Sequence, residues 1–191
     1  MNKELFWSII EDVKGKSNSD NEQLTVNFNK RLSALSIEEL LHFQFIYELY
    51  EIAIISVPSN LIWTAQFLIN EGSYTNTYNF AGWLIIQGKK VYLDALANAD
   101  TLAQINTPKN NCEYTELRLL AVKLYKEKTG IKKKAFQKVE SDFWNKPETE
   151  KEQAEIKSEI TLSDIKRDRN WKISDLEDVL PNLFKKVKIN V

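Results

Sequence analysis

Ser36-Ile-Glu-Glu-Leu-Leu-His-Phe-Gln-Phe-Ile-Tyr-Glu-Leu-Tyr-Glu-Ile-Ala-Ile-Ile55 opens on a capping box and then stays apolar around most of a helical circumference. The Ser36 hydroxyl can accept from the amide three residues on, while the Glu39 carboxylate reaches back to the Ser36 amide. Leu40, Leu41, Phe43, Phe45, Ile46, Leu49, Tyr50 and Ala53 cover more than one face. A helix of that kind belongs near the centre of a fold, so the other elements are expected to wrap it. Pro58, Ser59 and Asn60 stop it and cap the next segment.

Outward from this stretch the period stays helical. Upstream, Leu5, Ile9 and Ile10, with Phe6 and Val13, share one face behind Asn2 as N-cap. Leu24, Phe28, Leu32 and Leu35 define a second helix from about Asp20. Downstream, helices are predicted over 61–70, ended by Gly72, and over 75–87, ended by Gly88. Lys89–Asn98 follows, and Asp100 and Thr101 can cap one further turn. Pro108–Cys112 reads as a loop, and Glu113–Thr129 as a helix stopped by Gly130. A second capping box, Ser174-Asp-Leu-Glu177, opens a terminal helix with Leu176, Val179, Leu180, Leu183 and Phe184 inward.

No segment alternates with period two over five or more residues, so strand content is expected to be near zero. The reading is an all-α, single-domain multi-helix bundle of about seven to nine helices. Residues 1–130 form its helical core, 131–170 a charged and partly flexible excursion, and 171–191 a C-terminal helix packing back on the core.

Charge and residue inventory exclude several classes. Basic and acidic residues nearly balance, at 26 against 27. Yet 1–122 holds 9 basic and 14 acidic side chains, and 123–138 holds seven Lys against one Glu. One local basic stretch is an anion candidate, whereas a whole-protein nucleic-acid field is absent. With one Cys and one His, an internal disulfide and the usual zinc clusters are out. Met1–Glu11 lacks the features of a signal peptide, and Ile52–Ile69 is interrupted by polar residues and Pro58. The expected location is cytoplasmic.

Several motifs resemble the DUF4240 family of bacterial domains of unknown function. They are Phe6-Trp7-Ser-Ile-Ile10-Glu11, and Leu32-Ser-Ala-Leu35-Ser-Ile-Glu-Glu39 followed by Phe43 and Phe45. The closest part is Trp63-Thr-Ala-Gln-Phe-Leu-Ile-Asn-Glu-Gly72 followed by Phe80-Ala-Gly-Trp83-Leu-Ile85-Ile-Gln87-Gly88-Lys89. Asp100-Thr-Leu-Ala103 and Trp171…Leu180-Pro181-Asn-Leu183 are similar to it too. The resemblance spans roughly 1–130 and returns at 171–186. It implies a helical bacterial intracellular protein and carries no activity to transfer. The chain departs from the family pattern at Leu61, at Tyr74-Thr-Asn-Thr77 and at Ala81, where relatives tend to carry charged residues. If those charges build a site in relatives, this chain has lost it.

The candidate sites each have a plainer structural reading. His42, one turn after Glu38, could form an acid–base pair, but an exposed His near a helix start is the simpler account. Cys112, in a polar loop before a helix, could be a stabilised thiolate, yet the only His is not expected beside it. Glu48 and Glu51 form a carboxylate pair on a solvated face that could meet a partner. Lys132, Lys133 and Lys134, near Tyr125 and Phe136, are the anion or nucleic-acid candidate. Lys near a helix C-terminus also complements the macrodipole, which is their structural reading. Trp63, Tyr74, Tyr78, Phe80 and Trp83 could line a pocket, but at helical spacing they read as core.

Together these features predict a non-catalytic protein-binding module, most concretely an immunity or antitoxin-like protein that blocks a toxin domain. Glu48, Glu51, Tyr74 and Tyr78 would meet the partner, with no catalytic residue, metal or cofactor. Two alternatives remain open: a nucleic-acid-associated regulator using 123–138, and a small-ligand or enzymatic helical protein.

Overall fold

The computed structural model describes residues 1–17, 20–56, 61–70, 75–106, 112–163 and 175–187. The capping box at 174 and Gly72 lie outside them, as does Tyr74. Among the described residues there is no strand, and the chain is all-α. The described residues carry eleven α-helices and one 3-10 helix, more than the seven to nine expected. Two features account for the excess. The charged excursion is helical over most of its first half, and Pro181, which cannot donate to the preceding turn, restarts the terminal helix.

The contacts divide the chain into two compact units, each built from two stretches of sequence. One comprises 1–52 and 115–159, the other 53–114 and 160–191.

The first unit contains α1 (Lys3–Gly15), α2 (Asn21–Ser33), most of α3 (Ile37–Ile55), α7 (Glu116–Thr129), α8 (Lys133–Trp144) and α9 (Pro147–Glu159). Local signals start and stop these helices as the sequence indicates. Asn2 Oδ1 accepts from the Leu5 amide at 2.9 Å, and Asp20 Oδ1 from Glu22 and Gln23 at 2.8 and 3.0 Å. The capping box closes in both directions, Ser36 N to Glu39 Oε2 at 2.9 Å and Glu39 N to Ser36 Oγ at 3.1 Å. The Ser36 amide, and after it the Ser36 hydroxyl, holds the Glu39 carboxyl below its ordinary range. Gly130 ends α7 with φ +69°, a left-handed conformation that a Cβ would oppose.

The middle of α3 is wrapped all round: 43–47 and 49–51 are buried without a break. Phe6 of α1 lies 4.9 Å from Phe43 and stacks on Tyr50 at 5.6 Å, with Trp7 also against Tyr50. Burial of each such ring is worth about 2 kcal/mol. On another side, Phe143 and Trp144 of α8 meet Phe45 edge-on at 5.4 and 4.5 Å. Helix α9 buries little apolar surface beyond Ile156. It is tied to α3 by polar pairs instead, Glu152 to His42 and Glu159 to the Tyr50 hydroxyl. Glu159 also bridges to Lys3 at 3.1 Å.

The second unit contains α4 (Ile62–Ile69), α5 (Thr77–Ile86), α6 (Lys89–Ala97), the 3-10 helix (Ala99–Gln104), α10 (Leu176–Val179) and α11 (Pro181–Val187). Its buried centre is α5, where every residue from Phe80 to Ile86 is enclosed. The 3-10 helix contacts α4, α6 and α11. Asp100 does not cap its own turn as expected, because Asn98 Oδ1 takes the Asp100 amide at 3.1 Å. The Asp100 carboxylate caps α11 across 82 positions of sequence. It accepts from Asn182 N at 3.3 Å, Asn182 Nδ2 at 2.6 Å and Leu183 N at 2.8 Å. A charge at a helix start, hydrogen-bonded to the amides left over by the first turn, is favourable.

Asp100→Ala removes the acceptor from two buried or half-buried amides, and we expect it to cost about 2 kcal/mol in denaturant unfolding. Amides of 182–187 should then exchange with solvent faster than those of α5. Unchanged exchange in α11 would show that the carboxylate does not hold it.

Candidate functional site

The two carboxylates singled out on α3 do not form a solvated face. Four-residue spacing brings Gln44 over Glu48 and Tyr47 over Glu51. Gln44 Nε2 donates to Glu48 at 2.8 Å, and the Trp144 indole N–H donates to it as well. Glu51 accepts from the Tyr47 hydroxyl at 3.3 Å and from Arg118 Nε of α7 at 3.2 Å. The Glu51 side chain is only 4% exposed, whereas that of Arg118 is 41% exposed. Of this pair it is therefore Arg118 that faces outward.

Burial pushes the Glu48 carboxyl above its ordinary range, against the opposing donors Gln44 and Trp144. Burial likewise raises Glu51, outweighing the Arg118 guanidinium beside it. Glu140 of α8 is raised by partial burial and by the charge of Glu48. Two carboxyls of raised proton affinity, Glu48 and Glu51, thus share one guanidinium, and Glu140 adds a third acidic group beside Glu48. Such a cluster favours an approaching cation or a retained proton. Among the described residues no group of His, Cys, Asp and Glu could hold a metal ion.

Each member of the pair is followed in sequence by an exposed aliphatic residue. Ile52 follows Glu51 and is 50% exposed, and Leu119 follows Arg118 and is 63% exposed. The Glu51–Arg118 bond ties α3 to α7 one residue before each of these side chains.

The remaining candidates fall as follows. His42 is not the exposed residue expected. Its side chain is 22% exposed, paired with Glu152 and edge-on to Phe143 at 5.5 Å, and its partner is not Glu38. Cys112 is fully buried, and burial with Glu113 nearby pushes its thiol up to about 12, the opposite of a stabilised thiolate. Phe80 and Trp83 stack at 5.5 Å within the buried α5 and are core, and Trp63, half-buried, packs 6.0 Å from Phe80. Tyr78, in the first turn of α5, is 39% exposed, and Tyr74 lies outside the described residues. Lys132, Lys133 and Lys134 are all exposed. Their helix-terminus reading is reversed, since Lys132 is the N-cap of α8 and the other two lie in its first turn. A cation there opposes the macrodipole.

A polar hollow of about 420 Å³ lies in the second unit, lined by Asn98, Thr101, Gln104, Asn182 and Lys186 beside Asp100. Asp100 is already committed to α11, and Lys186 Nζ donates to the Ile105 carbonyl.

The sequence reading missed Arg118 and Glu140. A lone Arg in the first turn of a helix and a Glu in a charged run carry no local signal of a shared site. Only the packing of α7 and α8 against α3 selects them.

A carboxyl raised by the fold lowers stability as pH rises from its ordinary value of 4.5 through its folded one. Glu48→Gln keeps the acceptor for Gln44 and Trp144 without the buried charge. We expect its melting temperature to exceed the parent's at pH 7, with the gap narrowing toward pH 4.5. A variant less stable than the parent at pH 7, with the deficit shrinking as pH falls toward 4.5, would show instead that the charge itself is needed.

A family model described as "Protein of unknown function (DUF4240)" matches residues 1–127. No curated protein and no solved structure matches the chain. The match runs from α1 almost to the end of α7, and so includes Glu48, Glu51, Arg118 and Asp100. It stops before α8, α9 and the terminal helices, including the Leu180-Pro181-Asn-Leu183 stretch that resembles the family in sequence. Covering about two thirds of the chain, the match makes this protein a member of the DUF4240 family.

Proposed function

We propose that the chain is a non-catalytic protein-binding module acting in the cytoplasm, and most concretely an immunity or antitoxin-like protein that binds and blocks a toxin domain. The observation that carries this reading is the exposure of two aliphatic side chains, Ile52 on α3 and Leu119 on α7, each next in sequence to one member of an ion pair whose carboxylate is buried and whose Arg118 side chain is 41% exposed. Aliphatic anchors beside an Arg whose fork is held by a buried acceptor match the anatomy of an interface centre. An Arg already oriented by Glu51 loses less side-chain entropy when a partner docks.

The reactive groups support the same reading. The imidazole of His42 is engaged with Glu152, and the Cys112 thiol is enclosed with a raised pKa. Both are spent on packing, which fits a protein that works by covering another molecule. The half-buried, mutually interacting carboxyls of Glu48 and Glu140 would favour a cationic residue at the edge of the partner's contact. Tyr78, exposed in the second unit, is a separate contact candidate.

The test is co-purification of the tagged protein with the product of the adjacent gene, followed by Ile52→Asp and Leu119→Asp. A stoichiometric partner should be captured by the parent. Either substitution should weaken capture at least tenfold, about 1.4 kcal/mol, while melting temperature changes little, since both residues are exposed. Undiminished capture by both variants would move the interface elsewhere, and the absence of any specific partner would reject the binding reading.

A further inference from the structure

The corner between α7 and α8 concentrates charge in a way that packing does not require. Lys123 and Lys128 of α7 and Lys132, Lys133, Lys134 and Lys138 at and within α8 are all exposed. The one acidic residue among 123–138, Glu127, sits 3.9 Å from Lys123. Among the described residues the other five lysines form no ion pair. Only three residues, Gly130 to Lys132, separate the last turn of α7 from the first turn of α8, so the lysines at the two helix ends lie close along the chain.

This arrangement works against the fold's own stability. Lys132 occupies an N-cap position without a side-chain hydrogen bond to the helix, where Ser, Thr, Asp or Asn is preferred. Lys133 and Lys134 then add like charge to the positive end of the dipole. Among the described residues none of these three ammonium groups takes part in a hydrogen bond or ion pair. A local rule broken without a packing gain is the mark of a surface kept for binding.

We propose that this corner is a phosphodiester-binding surface, and that its partner is a nucleic-acid backbone contacted without sequence readout. Three observations select that chemistry. The cations are Lys, compact point charges suited to phosphate, and 123–138 contains no Arg for bidentate base contacts. The nearby aromatics cannot stack on bases, because Tyr125 and Phe136 are buried against each other at 5.2 Å. The rest of the chain is acidic, so a broad anionic protein face would be repelled beyond the corner, while a narrow backbone can follow it alone. This surface is distinct from the Ile52–Leu119 contact, and neither reading depends on the other.

The experiment is fluorescence anisotropy with a labelled single-stranded oligonucleotide and a labelled duplex, titrated over a salt series. The full chain is compared with its Lys132→Glu/Lys133→Glu/Lys134→Glu variant. Binding should weaken steeply with salt, and the variant should lose at least about tenfold in affinity and about 2 units of log–log salt slope. Its melting temperature should equal or exceed the parent's, because acidic residues suit a helix start. A variant that melts higher yet binds less separates loss of the surface from loss of the fold. No salt-sensitive binding at low ionic strength, or equal affinity in the variant, would overturn the proposal. Equal binding to polyglutamate of matched charge, or to vesicles containing anionic lipid, would overturn it too.

Discussion

A helix that is apolar around most of its circumference cannot be left with a solvent face, and both units of this chain are organised by that constraint. In the first, α3 is enclosed by α1 on one side and α8 on another, with Phe43, Phe45 and Tyr50 each met by rings from elsewhere in the sequence. In the second, Phe80–Ile86 of α5 is wholly buried. Enclosure has a consequence for the polar residues that such a helix still carries. His42, Gln44, Glu48 and Glu51 are drawn inward with the apolar ones, and each finds a partner or shifts its proton affinity. Glu152, Trp144 and Arg118 supply those partners. The chemistry of the α3 face therefore follows from its packing.

Local grammar was readable from sequence, and long-range pairing was not. Asn2, Asp20, Ser36 with Glu39, and Gly130 act within a few residues of themselves, so their side-chain types announce the helix ends they make. The α5 motif announced its burial by leaving no polar face. Glu51 with Arg118, His42 with Glu152 and Asp100 with Asn182 are separated by 67, 110 and 82 residues. No periodicity links them. Hence Glu48 and Glu51 read as a solvated acidic face, His42 as exposed and Asp100 as a cap for its own turn. Each reading took the nearest neighbour in sequence for the partner.

The charged stretch after Gly130 shows the same division. Its composition suggested an exposed helix or a flexible excursion, and helices α8 and α9 do expose most of their side chains. Yet Phe136, Phe143 and Ile156 anchor them, and α9 is fastened by its acidic residues to α1 and α3. A helix with so little apolar surface depends on polar partners for its position. Burial behind that arrangement raises the Tyr50 phenol, with Glu159 adding to it.

The central claim is that α3 carries buried, partnered carboxyls and not a solvated acidic face. The most direct measurement is a residue-resolved NMR titration of the Glu48 and Glu51 side-chain carboxyl carbons. Midpoints above the ordinary carboxylate value of 4.5 for both would agree with enclosure outweighing Arg118, Tyr47 and Gln44. Midpoints at or below 4.5 would contradict it and return both residues to a solvent-facing helix surface.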